Sequence, residues 1–569
     1  MNLAALYHVS DYNCTQVQSD GSILIRLKTS SEDNIKEINL IHGDPFLGIN
    51  SDEGNWNWVK YTETMEFLGK GEFHSYYQII VKPKYKRIRY FFEIISEEGT
   101  IFFGEKGITA NQEVTEDNFF GFSYPYIHLS DGYIPPSWLK KTIWYQIFPD
   151  RFYNGDPSNN QENVVKWNSI LPKSNTFFGG DLKGIIQKLD YLQELGIRGI
   201  YLNPIFKSPS THKYDTDDYY QIDSHFGTKD DLINLVKEAH KRNIKVILDA
   251  VFNHTSPDFF AFKDVLINQD KSKYKDWFFI KKFPISLDDK EINYETFAFV
   301  RKMPKINVDN KEVANYLIDV AKYWIKEANI DGFRVDVANE QPHQFYRKLR
   351  EEIKKVKGDA VLIAESWSNS SIWLYGDQFD SVMNYLFTNL IVDFIVKKGL
   401  DSQTFVRKYI DVLNTYPLTT SKNLFNLLDS HDTQRIMTLC NNDLDLVKLS
   451  YTLLFTFIGT PCLYYGGEIG LEGKDDPDCR RCMIWDESKW NQPLNKFIKE
   501  LIKIRNKYSD VFVDGKLDIK EKDELIIIKR EYDNKVITTY LSISNYLKIN
   551  PNDEILIKDN KLLMVITYL

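Results

Sequence analysis

A chain of 569 residues with 71 Lys and Arg, 80 Asp and Glu and a net charge of −9 divides into several domains and offers no basic face. That argues against nucleic acid or an anionic membrane surface as a partner, and no apolar run approaches the ~18–20 residues of a membrane span. At 43 % hydrophobic and 27 % charged residues, the composition is that of a folded soluble protein.

The opening residues, Met1 to His8, lack the basic start and apolar core of a secretory signal, which predicts a cytoplasmic protein. Five cysteines make no disulfide framework, and the lone C-x-x-C of Cys479 and Cys482 has no second ligand pair at zinc spacing. From the N-terminus, alternating runs such as Ile23-Leu24-Ile25-Arg26-Leu27 and Tyr90-Phe91-Phe92-Glu93-Ile94-Ile95 are broken by Gly, Asp and Asn turns. They predict a β-sandwich over residues 1–122. A turn-rich linker follows over 123–137, around Ser130-Asp131-Gly132-Tyr133-Ile134-Pro135-Pro136.

Between 138 and 490 the pattern becomes strand and helix in alternation. Strands are predicted at 143–148, 199–202, 246–250, 332–337, 361–364, 381–385, 424–428 and 462–465, with amphipathic helices between them. Eight such repeats predict a catalytic (β/α)8 TIM barrel, with a doubly wound sheet as the alternative. The long stretch 254–310 lacks barrel periodicity and predicts an inserted domain after the third strand. Residues 491–569, one helix and then β-rich sequence, predict a C-terminal β-domain.

In such a barrel the active site lies at the C-terminal ends of the strands. The third strand ends in Asp249-Ala250-Val251-Phe252-Asn253-His254, the fourth carries Arg334 and Asp336, the fifth ends in Glu365 and the seventh runs into His431-Asp432. Two carboxyls on neighbouring strands suit glycoside cleavage, one ionised to attack the anomeric carbon and one protonated to release the leaving oxygen. Strand alternation puts Arg334 beside Asp336, where it favours the ionised nucleophile. Glu365 is then the expected acid, raised by its negative neighbours, and Asp432 stabilises positive charge on the sugar ring.

Four segments, D-A-V-F-N-H (249–254), G-F-R-V-D-V-A-N-E (332–340), the A-E-S-W around Glu365 and L-L-D-S-H-D-T-Q-R (427–435), resemble in order and spacing the signature regions of glycoside hydrolase family 13, the α-amylase family. The resemblance implies a retaining enzyme with Asp336 as nucleophile, Glu365 as acid/base and Asp432 as stabiliser, the first two about 5–5.5 Å apart. It implies that His254 and His431 bind the sugar at the cleavage subsite, that Tyr214 stacks beneath it and that Asp249 supports Arg334. It further implies that Asp476 and Arg480 bind the next sugar outward. Trp367, Phe297 and Glu340 are expected on the leaving-group side, as are two departures from the family pattern, Gln341 and Ser368.

Met303-Pro304-Lys305-Ile306-Asn307 is similar to the M-P-K-L-N of the neopullulanase, cyclomaltodextrinase and maltogenic amylase group. That group acts on cyclodextrins, maltooligosaccharides and pullulan, and the resemblance implies a homodimer in which one N-terminal domain, like a carbohydrate-binding module, narrows the partner's site. Asn154, Asp156, Asn159, Asn160, Gly179 and Asp181 read by themselves as turn residues, but they match the group's calcium loop and imply a structural Ca²⁺, with Asn160 where an Asp is common. No organic cofactor is implied. Alternatives at this point are an α-1,6-acting glucosidase, a transglycosylase, and a relative kept only for binding.

Overall fold

The computed structural model describes residues 1–50, 56–117, 119–124, 126–288, 291–544, 547 and 553–569. The N-terminal alternation forms two packed sheets. Thr15–Val17, Ile23–Ser30, His74–Val81 and Glu66–Lys70 make one, and Gly107–Thr109, Gly99–Gly104, Ile88–Ser96, Ile35–Gly43 and Tyr61–Thr64 make the other. Their facing residues, among them Val17, Ile25, Leu27, Leu40, Phe92 and Ile94, are buried against one another. Phe122–Tyr124 pairs with Ile88–Ser96, so the sandwich runs past the expected boundary at 122.

The barrel strands are β1 (Trp144–Ile147), β2 (Gly199–Leu202), β3 (Lys245–Ala250), β4 (Gly332–Val335), β5 (Val361–Ala364), β6 (Ser381–Val382), β7 (Phe425–Asn426) and β8 (Thr460–Tyr464). They form one parallel sheet in the order β6-β5-β4-β3-β2-β1-β8-β7, and a bridge between Met383 and Phe425 nearly closes it. Every strand residue but Lys245 is buried, because helices cover the outside while side chains fill the inside. Trp144, Tyr201, Ile247, Val361, Ile363 and Phe425 belong to the inner cluster. Period-two alternation carries that inward direction to Gln146, Asn203, Asp249 and Glu365 at the top of the barrel.

Two departures from the sequence expectation have physical causes. Between β5 and β6 the described residues form a 3₁₀ turn, Ser371–Trp373, instead of an α-helix. The linker occupies that place: Tyr133 Oη donates to the Asp380 carbonyl at 2.5 Å, and a side chain at Gly376 (φ +98°) would meet the Gly132 oxygen at 2.5 Å. The helix Gln492–Lys507, expected in the C-terminal domain, instead packs on the barrel helix Leu444–Thr456, with Asn506 Nδ2 on the Gly196 carbonyl at 3.0 Å. It is the barrel's last helix, and the C-terminal sheet begins at Lys516–Lys522. Among the described residues that sheet has five antiparallel strands.

The segment after β3 leaves the barrel at His254 and returns at the helix Lys311–Ala328. Its bridges His254–Lys305 and Thr296–Pro304 pair it with the end of β3 and then with itself. One wall beside the barrel mouth is thereby fixed.

Candidate active site

Arg334 is the centre of the site and is wholly buried. Its Nη1 lies 2.8 Å from Asp249 Oδ1 and 2.8 Å from Asp336 Oδ1, and its Nη2 lies 2.9 Å from Glu365 Oε2. One guanidinium thus faces carboxylates from three adjacent strands, hydrogen-bonding Asp249 and Asp336 through Nη1 and lying beside Glu365 through Nη2. Glu365 also accepts from the Val337 main-chain N–H and from Trp367 Nε1–H, each at 2.9 Å. The Trp367 indole lies flat on Tyr385, with ring centres 3.9 Å apart.

Asp432 completes the group from the loop after β7. Its Oδ2 is 3.1 Å from His431 Nε2 and its Oδ1 is 3.4 Å from Arg480 Nη2. Arg480 also reaches Asp476 at 2.8 Å and donates from Nε to the His431 carbonyl. Gln146 Nε2 donates to His431 Nδ1 at 2.8 Å, which leaves the ring proton on Nε2 beside Tyr214 and Asp432. Tyr214 is nearly parallel to His431, and its hydroxyl is 2.8 Å from Asp249 Oδ2. On the opposite wall His254 stacks on Phe297, and its Nε2 is buried with no partner among the described residues.

Protonation follows from this crowding. Burial, then the charges of Glu365, Asp249 and Asp432, push Asp336 well above the usual carboxylate range despite Arg334. Burial works in the same direction on Glu365, but Arg334, the Val337 N–H and Trp367 together outweigh it and hold Glu365 low. The expected order, a raised Glu365 and an ionised Asp336, is therefore reversed, because the charge of Arg334 and two N–H donors address Glu365. Burial and then Glu365 raise Asp432 to about 7. Both histidines are neutral: burial, then Lys305, hold His254 down to about 3, and burial, then Arg480, hold His431 well below its usual value.

A pocket of about 310 Å³ opens over this centre, lined by Asp336, Glu365, Asp432, Tyr214, His254, Phe297, Trp367, Asp476 and Arg480 together with His212, Met303 and Val337. Asp249 and Arg334 lie beneath it. Glu340 is outside the lining, its Oε2 held by Lys305 Nζ at 2.6 Å and by Asn253 Nδ2 at 3.2 Å. Gln341 is likewise turned away, buried on the Phe252 carbonyl and Asn253 Oδ1. The neutral supports Gln146, Tyr201 and Asn203 carry no charge to mark them in the sequence. Tyr201 donates to Asp249 Oδ2 at 2.6 Å, and the available signal was its inward position on a strand whose end carries no charge.

In the loop expected to hold calcium, Asp181 accepts main-chain N–H bonds from Gly155, Asp156 and Gly184 and one from Asn159 Nδ2. Asp156 caps Ser158 and pairs with Lys183 at 2.6 Å. Asn160 Oδ1 accepts from Asn154 Nδ2, and a side chain at Gly179 would run into both. The Oδ1 atoms of Asn154 and Asn159 are buried with no partner among the described residues. Among those residues no group of three or more His, Cys, Asp or Glu is placed to hold a metal, so any cation here rests largely on amide oxygens.

The chain matches the family model described as alpha amylase, catalytic domain over residues 146–531 and that described as alpha amylase, N-terminal ig-like domain over 1–128. It is 44 % identical over 511 residues to a cyclomaltodextrinase of Geobacillus thermopakistaniensis strain MAS1, covering 89 % of this chain and 85 % of that one. It is 38 % identical over 555 residues to an intracellular maltogenic amylase of Bacillus subtilis, covering 96 % and 92 %. A solved cyclomaltodextrinase structure matches with a TM-score of 0.90 at 38 % identity, over 100 % of this chain and 98 % of the other.

Proposed function

The chain belongs to the α-amylase family of glycoside hydrolases, and from that premise we propose that it hydrolyses α-1,4 bonds of cyclodextrins and maltooligosaccharides by a retaining double displacement. Pullulan is a further substrate to be tested. One observation carries the mechanism: Asp336 and Glu365, on adjacent strands, face one pocket from two nitrogens of the same guanidinium, at 2.8 and 2.9 Å.

Asp336 attacks the anomeric carbon as the glycosidic C–O bond breaks, and Glu365 gives its proton to the departing oxygen. The glucosyl ester on Asp336 is then opened by water that Glu365 deprotonates, which restores both groups. Asp432 faces the positive charge that develops on the ring. The chemistry needs the pair's proton on Glu365 at the moment of attack. Asp336 is the raised and Glu365 the lowered carboxyl of this pair, and both lie against one guanidinium, so the proton has a short path from one to the other. Tyr214, the two neutral histidines and the Asp476–Arg480 pair hold the sugars on either side. Asp336→Asn tests the assignment: turnover is lost while the fold and thermal melt persist, and a variant keeping substantial activity overturns it.

Among the described residues, those that line the pocket come from the barrel and the inserted domain. The N-terminal domain packs on the barrel helix Ser402–Leu413, through Tyr76 on Asp411 and Arg26 on the Asn414 carbonyl. A homodimer in which a second copy narrows the pocket belongs to the same proposal; a monomer that degrades soluble starch as fast as β-cyclodextrin overturns it. The orphaned oxygens of Asn154 and Asn159 fit a cation that seeks oxygen, held with Asn160, Gly179, Asp156 and Asp181. Calcium there would tie the loop after β1 together, at modest affinity because Lys183 already compensates Asp156. A cytoplasmic location is supported by the relative named as intracellular, and no described helix is long and apolar enough to cross a membrane.

Against the α-1,6-acting and transglycosylating alternatives, the test is the timed product profile on β-cyclodextrin, pullulan, panose and soluble starch side by side. The convergence of all three carboxylates, Arg334 and both histidines favours an enzyme over a relative kept only for binding.

A further inference from the structure

Lys305 is the one residue of the M-P-K-I-N segment whose charge faces the barrel. It extends from the inserted domain, and its Nζ lies 2.7 Å from Asn253 Oδ1 and 2.6 Å from Glu340 Oε2. Asn253 Nδ2 in turn donates to Glu340 Oε2, and Gln341 Nε2 donates to Asn253 Oδ1. These four side chains join three segments: the end of β3, the loop after β4 and the inserted domain. The Lys305 side chain is 17 % exposed and that of Glu340 38 %, so the ion pair is partly shielded from water.

What the cluster joins is the pocket itself. Asn253 precedes His254, and Glu340 follows Asp336 and Val337 in a short 3₁₀ turn, Ala338–Glu340. Lys305 is two residues from Met303, whose main-chain carbonyl accepts from the Phe297 N–H at 3.0 Å. Phe297 and Met303 come from the inserted domain, whereas Asp336 and Val337 come from the barrel, and all four line the pocket. The main-chain bridges of residues 304–306 run to the end of β3 and to the inserted domain itself. Among the described residues, the direct hydrogen-bonded tie from this wall to the nucleophile's own loop is Lys305 to Glu340.

We propose that Lys305 is a positioning residue, whose ammonium holds the inserted-domain wall of Phe297 and Met303 against the loop that carries Asp336, and so sets the width of the sugar pocket. This rests on the reading of the pocket as the glucan site. Glu340 then acts through Lys305 rather than by touching sugar, and Gln341, a departure from the family pattern, serves the same cluster. Loss of the tie lets the wall move while the Arg334 centre stays intact beneath it, so the effect falls on binding more than on chemistry.

The test is a KM-against-kcat split on maltotriose and β-cyclodextrin. Lys305→Met raises KM about tenfold with a smaller change in kcat, well within the ~100-fold that a 1 Å misplacement can cost. Lys305→Arg, which keeps the charge, restores KM to near the parent value. Glu340→Gln repeats the rise, and the double variant Lys305→Met/Glu340→Gln is no worse than either single one, as required of two residues acting as one tie. A Lys305→Met enzyme that melts earlier but keeps its KM, or effects that multiply in the double variant, overturns the proposal. If Lys305→Met does not fold, Glu340→Gln and Lys305→Arg carry the same comparison. Failure here leaves Asp336→Asn to judge the catalytic assignment separately.

Discussion

Buried aspartates sit at both ends of this barrel, and their surroundings are opposite. At the N-terminal end, Asp331 just before β4 is met by His240 at 2.7 Å, Lys357 at 2.9 Å and Lys245 at 3.0 Å. Asp380 just before β6 is met by Arg350 at 2.8 Å and Lys354 at 3.3 Å. Burial alone would raise both, but these cations outweigh it and hold both carboxyls below their usual range. At the C-terminal end, Asp249, Asp336 and Glu365 share one arginine, Asp432 takes a longer contact from Arg480, and both histidines are neutral. Equal burial gives a structural anchor where cations are in excess and a proton-holding cluster where carboxylates are. The balance of charge, not the depth, separates the end that keeps the barrel folded from the end that can do chemistry.

The sharpest way to break that comparison is to remove one group from each end. Glu365→Gln at the reactive end should lower turnover of maltooligosaccharides by about 10²–10⁴-fold, the usual worth of a general acid/base, with the melting temperature kept. The first step should be spared on a substrate whose leaving group needs no proton, and a burst of released leaving group checks it. Asp331→Asn at the other end should leave kcat unchanged and cost on the order of 3–5 kcal/mol of stability, since it strands Lys357 and Lys245 beside a neutral amide. The folded pKa of Asp331 lies below its unfolded value. Its stabilisation is therefore present above about pH 4 and fades as the pH falls further, so the deficit of the variant should shrink in acid melts. A deficit equal at pH 3 and pH 7 would place the effect in packing instead.

Asp432 gives the converse. Its carboxyl is raised to about 7, so the fold opposes its ionisation and the native state is penalised as pH rises from about 4 towards 7. Asp432→Asn should thus lose activity and yet gain about 0.5–2 kcal/mol of stability at pH 8, with no gain at pH 4. Parallel melts at the two pH values decide it. A variant less stable at pH 8 would mean that its contacts to His431 and Arg480 outweigh the strain of the charge.

Much of this was legible because a barrel strand buried on both faces is a short apolar run, and a charge at its end stands out against it. Asp249, Arg334, Asp336 and Glu365 could be found that way, and strand alternation brought Arg334 to Asp336. Neutral residues gave no such contrast, so Gln146, Tyr201 and Asn203 passed unnoticed although they orient His431, Asp249 and Tyr214. The missing helix after β5 was hidden because its place is filled by the linker near Gly132, far away in the chain. The order of protonation was hidden for a related reason. Beyond Arg334, it turns on an N–H of the backbone at Val337 and on the direction of one indole, and composition encodes neither.

That indole supplies the smallest expected effect. Trp367 donates to Glu365 Oε1 and lies on Tyr385, so Trp367→Phe removes the donor and keeps a ring on the stack. A hydrogen bond to the ionised carboxylate favours that form, so its loss should raise the Glu365 pKa and move the alkaline limb of the kcat profile to higher pH. Hydrogen bonds to charged groups are worth ~1.5–3 kcal/mol when buried. Trp367 is half exposed, and water can replace part of the bond, so a shift of less than about one unit is expected. Trp367→Ala should show the same shift together with a raised KM, because the flat wall is lost as well. If the alkaline limb stays in place in both variants, Trp367 serves only as a wall, and Arg334 and Val337 alone hold Glu365 low.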